Sequence, residues 1–294
     1  MFDVSFLKSA WARRLAVIAG FLIPGMASAH HEALFGPQSS LIQAVDNYVS
    51  LQAFSKQTGT AEDRTQETTV TLSGGLKPIR SVPVTVTAIV PYSFCSELDA
   101  GESRNGPENI VVGLRYRYDL KQLIEAWGKD GNFLVGMGAA EVPNGTMDYP
   151  SYQRWTGPMN TMGALLGSLE KGKWAGLAYG YYRYEGQSSA GDKIGDNAIA
   201  GAGVAFTPNE NPQTGRLISY QLGLSYEYHF QDMVQGRTDP GTGGWTLLLH
   251  PALVYAPSQK LLVFGIVSLP LAQSYPDPLL EDRFRVGAGL TWPF

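Results

Sequence analysis

The sequence is short of charge. Asp, Glu, Lys and Arg make up 16% of its 294 residues, where ordinary soluble domains carry about a quarter. The formal net charge of −4 leaves no basic footprint, which argues against a nucleic-acid partner. The single cysteine, Cys95, excludes an intramolecular disulfide. Histidine is scarce, with four in the chain. Two of them, His30 and His31, lie beside Glu32, but so small a supply gives a metal centre little support, and the reading is no metal and no cofactor. No glycine-rich phosphate loop and no G-x-S-x-G stretch occurs. Long apolar runs are also missing. The run Leu15 to Ile23 is far below the roughly 20 residues that cross a hydrocarbon core as a helix. Lys8, Arg13 and Arg14 precede it, Pro24-Gly25 breaks it, and Ala27-Ser28-Ala29 follows with small residues at a cleavage spacing. Residues 1–29 therefore read as a secretory signal peptide.

What is abundant is glycine, tyrosine and alternation. There are 34 glycines and 15 tyrosines. In "ISYQLGLSYEYHF", Ile218, Tyr220, Leu222, Leu224, Tyr226, Tyr228 and Phe230 share one face, and Ser219, Gln221, Gly223, Ser225, Glu227 and His229 share the other. "NIVVGLRYRYD" and the terminal "DRFRVGAGLTWPF" divide the same way. A period of two is the mark of an extended strand. Such stretches are expected near residues 45–57, 65–75, 82–92, 109–119, 132–141, 159–170, 173–185, 196–207, 216–230, 245–256, 260–271 and 283–294, with turn-forming clusters between them. The fold class is all-β: a closed antiparallel transmembrane β-barrel of about 12 strands over residues 45–294. Residues 30–44 form a periplasmic segment and a candidate lumen plug.

Alternation alone does not say which face is inside. A soluble barrel would bury the apolar face, and a membrane barrel would turn it to lipid. Three features favour the membrane. Aromatic residues gather at strand ends, as interfacial girdles require. Connections alternate between long ones, such as 93–108, 142–158 and 231–244, and short ones, such as 170–172 and 257–259. The 120–131 connection, "LKQLIEAWG" and its flank, departs from this habit and reads as a short helix. The third feature is the last residue, Phe294, which falls on the apolar face with Leu290 and Trp292. That register is an outer-membrane assembly signal addressed to the barrel-assembly machinery. The strands near 159–170, 173–185 and 260–271 are apolar or glycine-rich on both faces and take no orientation from the sequence.

Polar faces then line a lumen. Arg115, Arg117, Arg283, Arg285, Glu67, Glu227 and His250 are the expected lumen and constriction residues, because rings of opposed charges select solutes by size and sign. First and last strands are neighbours in a closed barrel, so Lys56 and Glu67 should lie near Arg283 and Arg285. The expected function is passive passage of small solutes through the outer membrane of a Gram-negative bacterium, with membrane lipid as the outer partner. A sealed structural barrel and a lipid-acting hydrolase are the alternatives. The hydrolase needs a nucleophile beside a base, and no serine follows closely after His229. The chain is therefore read as not an enzyme.

Several stretches together are familiar: "HEALFGPQSS" (31–40), "VGLRYRY" (112–118), "GMGAAEVPNG" (136–145), "TGGWTLLLHPALVY" (242–255), "SLPL" (268–271) and "RVGAGLTWPF" at the end. In their order and spacing the chain resembles the outer-membrane barrel family of transporters linked with the meta-pathway of phenol degradation. The resemblance covers nearly all of the mature chain. It implies a barrel that passes small, aromatic or hydrophobic compounds, and it carries over no catalytic residue. His250 departs from the glycine or neutral residue expected beside Pro251.

Overall fold

The structure is a computed structural model that describes residues 46–60, 62–97, 102–120, 132–142, 160–187, 191–211 and 216–294. The signal peptide, the 30–44 segment, all but the first residue of the 120–131 connection and most of the 142–158 loop lie outside the described residues.

The alternating stretches all become strands. In chain order they are β1 (Tyr48–Gly59), β2 (Arg64–Leu76), β3 (Val84–Glu97), β4 (Glu102–Pro107), β5 (Ile110–Asp119), β6 (Phe133–Val142), β7 (Thr161–Lys171), β8 (Trp174–Tyr184), β9 (Asn197–Asn211) and β10 (Arg216–His229). They continue with β11 (Met233–Val234), β12 (Arg237–Thr238), β13 (Gly244–Ser258), β14 (Leu261–Ser274) and β15 (Asp282–Pro293). Twelve staves build the wall. β4 and β5 are two halves of one stave, interrupted at Glu108 and Asn109, and both pair with β3. β11 and β12 form a small hairpin outside the wall.

Every neighbouring pair in the wall is antiparallel. β1 closes the sheet, pairing with β2 on one side and β15 on the other, with Leu51 opposite both Leu72 and Leu290. The C-terminal strand is therefore paired along its length, and Phe294 N–H still donates to Asn47 O at 3.1 Å. Sequence and structure differ at two connections. The expected 93–108 loop is largely strand, because β3 runs on to Glu97 and folds back onto β4. The expected 231–244 loop holds the β11–β12 hairpin, tied to the neighbouring loop by a bridge from Lys193 to Met233.

Exposure fixes the faces. Along β10, Leu222 and Leu224 are 49% and 44% exposed, while Glu227 and Ser225 are at 0% and 1%. The same inversion holds at Val286 (38%) against Arg285 (3%), and at Leu114 (59%) against Arg115 (1%). Apolar side chains point outward, as a lipid-facing band requires. Aromatic rings bound that band. Tyr116, Trp174, Tyr220, Trp292 and Phe294 stand exposed at the end with short turns, and Tyr92, Phe94, Tyr182, Tyr184, Tyr226, Tyr228 and Phe284 at the other. Within the girdles rings pair: Trp174 with Phe206 at 4.8 Å, Tyr92 with Phe94 at 4.9 Å, and Tyr228 with Phe230 at 4.9 Å.

The three strands without a sequence orientation now have one. β7 turns Met162, Leu166 and Ser168 inward and Leu165 and Leu169 outward. β8 turns Leu177, Tyr181 and Arg183 inward, and β14 turns Leu262, Phe264, Ile266 and Ser268 inward. Their inward residues help build an apolar cluster within the barrel, with Phe133, Val135, Ala205 and Val254.

Inward aromatic rings need room against the wall, and glycine supplies it. A β-carbon on Gly287 would overlap the Phe54 ring, one on Gly289 the Phe264 ring, and one on Gly201 the Tyr179 ring. Each ring thus lies flat over a neighbouring strand instead of crossing the lumen. Nothing would meet a β-carbon on Gly176. Replacing Gly289 or Gly201 by alanine is expected to cost about 1–3 kcal/mol, the usual penalty of overpacking. Gly176→Ala should stay within about 0.5 kcal/mol of the parent. Denaturant unfolding of the purified barrel, followed by the mobility difference between folded and unfolded forms, measures both. Equal losses at all three positions would contradict the packing described.

Candidate functional site

Inward side chains sort into three levels along the barrel. At the end with short turns, β5 presents Arg115 and Arg117. Arg115 donates to Thr85 Oγ1 at 3.1 Å and stands 3.6 Å from Asp46 Oδ1. Lys77 reaches the other oxygen of Asp46 at 3.2 Å. Arg117 is bound to Asp119 at 3.1 Å, and its guanidinium lies 4.8 Å from the centre of the Phe133 ring. Both arginines are where the alternation of "VGLRYRY" put them.

The opposite level holds two ionic groups. In the first, Arg285 Nη1 binds Glu227 Oε1 and Oε2 at 3.1 and 3.0 Å, and Arg285 also donates to both oxygens of Asp282. Lys56 Nζ lies 3.5 Å from Asp282 Oδ1. Lys56 is the ladder partner of both Glu67 and Arg285, so three of the four expected neighbours meet at the seam between first and last strands. In the second group, Arg183 on β8 binds Glu141 on β6 at 3.1 Å and Glu185 at 2.8 Å. Asn160 donates to Glu141 Oε2 at 2.9 Å. Near the broken stave, Glu108 accepts from Ser93, whose hydroxyl also pairs with Thr69 at 2.7 Å.

Arg283 does not join this cluster. Its side chain is exposed and donates to Gly59 O at 2.8 Å. The β1–β15 register skips a residue here, pairing Thr58 with Asp282 directly after Gln57 with Phe284. That bulge takes Arg283 out of the alternation and puts Asp282 into the inward position beside Arg285. A one-residue slip flips a strand's faces, so strict alternation misplaced Arg283 and missed Asp282.

Between the two levels β6 to β9, β13 and β14 supply an apolar cluster, while β1, β2 and β3 turn Gln52, Thr71, Ser73 and Thr87 inward. Ser225 Oγ and His250 Nε2 are 2.8 Å apart, and Tyr179 bonds to the same serine. His250 is at 0% exposure. The inward side chains are shielded almost throughout, so side-chain packing and not the wall sets the bore.

Outside the band, the loop before β9 is pinned by Asp196. It accepts from Lys193 Nζ and Tyr182 Oη, both at 2.7 Å, and from Glu185 N–H at 3.0 Å. Burial disfavours its charge, but these hydrogen bonds outweigh burial and hold the carboxyl below the usual range. Asp232, in the next loop, is shifted the other way, because burial raises it more than the Gly195 N–H lowers it.

No family model matches this sequence, and no curated protein matches it. Solved structures share its fold. An outer membrane channel from Pseudomonas putida F1 superposes with a TM-score of 0.64 at 13% identity, over 85% of this chain and 96% of that one. The β domain of the Bordetella autotransporter BrkA gives 0.50 at 10%, over 85% and 100%. The NanC porin gives 0.50 at 10%, over 84% and 100%. The fold is that of a closed, twelve-stave outer-membrane barrel. A channel, an autotransporter domain and a porin share it, so the fold alone does not choose among their roles.

Arg285→Met should destabilise the barrel by about 3–5 kcal/mol, because it leaves buried carboxylates uncompensated. Pairing it with Glu227→Leu should recover part of that loss, and unfolding of the single and double variants checks it. The depressed Asp196 carboxyl makes the loop tie complete above the ordinary carboxylate range and lost only as pH falls through its lower value. Pepsin should therefore cut the 186–196 loop slowly at pH 4 and faster near pH 2, whereas Asp196→Ala should be cut readily at both. Equal cutting of parent and variant at pH 4 would remove the role of Asp196.

Proposed function

We propose that this chain is exported behind residues 1–29 and closes in the outer membrane of a Gram-negative bacterium as a channel for passive passage of small solutes. The observation that carries the reading is the inverted barrel. Its surface is apolar between two aromatic girdles, and its interior places charged groups at both ends of a middle that holds an apolar cluster. Charged mouths exchange water and ions readily, and an apolar middle lowers the cost of holding a hydrophobic body. That combination suits small amphipathic solutes, the aromatic or hydrophobic compounds that the family resemblance implies. The Pseudomonas channel supports the fold behind this reading.

Arg115 and Arg117 form the constriction at the end with short turns. Arg285, Glu227, Glu67 and the added Asp282 form the one opposite, and His250 marks the apolar middle. Leu290, Trp292 and Phe294 lie along the outward face of the closing strand, where the assembly machinery would read them.

One observation favours a second reading, a lipid-acting hydrolase. Ser225 and His250 are a nucleophile and base in hydrogen-bond reach. Against it, the pair faces the lumen instead of lipid, and among the described residues His250 Nδ1 has no partner to orient the ring. Phospholipid hydrolysis that disappears in Ser225→Ala would establish it.

In planar bilayers the purified barrel should conduct, and Arg115→Ala with Arg117→Ala should shift ion preference toward cations. Conductance with unchanged selectivity would remove these arginines from the constriction. Absence of any conductance would favour the sealed barrel.

A further inference from the structure

Two inward glutamines stand in contrast. Gln52 on β1 is 2% exposed and satisfied: its Nε2 donates to Ser50 Oγ at 2.8 Å. Gln221 on β10 is 5% exposed, and among the described residues neither its Nε2 nor its Oε1 has a hydrogen-bond partner. Its ladder partners are Ala205 on β9 and Ala252 on β13. Both belong to or pack against the apolar cluster that also holds Val254 and Phe264. A lone amide with two open hydrogen-bonding ends thus sits among apolar side chains, where an unmade hydrogen bond is costly.

A second open group lies beside it. His250 spends Nε2 on Ser225, and its Nδ1 has no partner among the described residues. The β10–β13 ladder pairs Gln221 with Ala252 and Gly223 with His250, so Gln221 and His250 are inward diagonal neighbours. Such positions lie roughly 7–8 Å apart, close enough for one polar head to meet both. The residues between and beside them are small: Gly223 pairs with Gly203 on β9, leaving no side chain on the inward wall there.

We infer that Gln221 and His250 form a solute-binding subsite in the middle of the lumen, for a small neutral molecule with an apolar body and a head that both donates and accepts hydrogen bonds. The inference rests on the channel reading for the solute's way in. The Gln221 amide takes one donor and one acceptor of the head, His250 Nδ1 takes a further contact, and Phe264, Val254 and Ala252 line the body. A charged head fits poorly, because the residues paired with Gln221 on either side, Ala205 and Ala252, carry no charge, and a bare hydrocarbon leaves the amide unmet.

Benzamide is a suitable probe, with ethylbenzene as its amide-free counterpart. Binding to the full mature barrel in lipid nanodiscs would be measured by calorimetry, with empty nanodiscs subtracted. Gln221→Met keeps the length of the side chain and removes the amide. It should weaken benzamide about tenfold, the equivalent of one net hydrogen bond, and leave ethylbenzene unchanged. His250→Leu should weaken benzamide as well. Equal benzamide affinity in parent and Gln221→Met, no benzamide binding by the parent, or an equal loss for ethylbenzene would overturn the subsite. Conductance of the same preparations separates the two claims. A conducting barrel with indifferent benzamide binding loses the subsite and keeps the channel. Amide-dependent binding in a barrel that does not conduct keeps the subsite and loses the channel.

Discussion

Hydrocarbon offers no hydrogen bonds, and this architecture is a response to that fact. Each backbone N–H and C=O in the membrane must find a partner within the protein, so a sheet that spans it must close on itself. Here closure falls to β1, which pairs over its whole length with β2 and β15. Once the sheet is closed, its two faces meet different media, and the side chains follow. Bands of leucine, valine and aromatic rings turn outward, and serine, threonine and paired charges turn inward beside one apolar cluster.

Closure also sets the electrostatics. Twelve staves enclose a lumen narrow enough for side chains on separate strands to touch. Arg285 reaches Glu227 across the span of two intervening strands, and Arg183 reaches Glu141 across one. Each ion pair offsets the cost of taking its charges from water. Phe54, Phe264 and Tyr179 are kept against the wall by the glycines beneath them. The shape of the lumen thus depends on what is missing from Gly201, Gly287 and Gly289 as much as on what is present elsewhere.

Much of this was legible in the chain. The twelve staves, their register-defining alternation and the outward placement of Leu222, Leu224 and Val286 follow from a period of two, because β10 and β15 separate their apolar and polar residues cleanly. β7, β8 and β14 were not legible in orientation, because the lumen has its own apolar cluster and Leu166 must face it while Leu165 faces lipid. The Arg283 bulge was invisible for a different reason: a skipped residue changes nothing in composition and only shifts which side each later residue takes. β4 was hidden in "ESRNGP", whose residues read as a loop, because its strand character comes from pairing with β3 and not from its own propensities. The open amide of Gln221 could be seen as a polar residue on a polar face, but not as one whose ladder neighbours are both alanine.

The central claim is the direction in which side chains point, and it can be measured along one strand. With Cys95 replaced, spin labels placed one at a time from residue 217 to 229 in the membrane-embedded barrel report collisions with oxygen, which dissolves in lipid, and with a water-soluble nickel chelate. The account predicts an alternation of period two, with oxygen collisions highest at 220, 222, 224 and 226 and low at 219, 221, 223 and 225. Oxygen maxima at the odd positions, or no alternation at all, would contradict it.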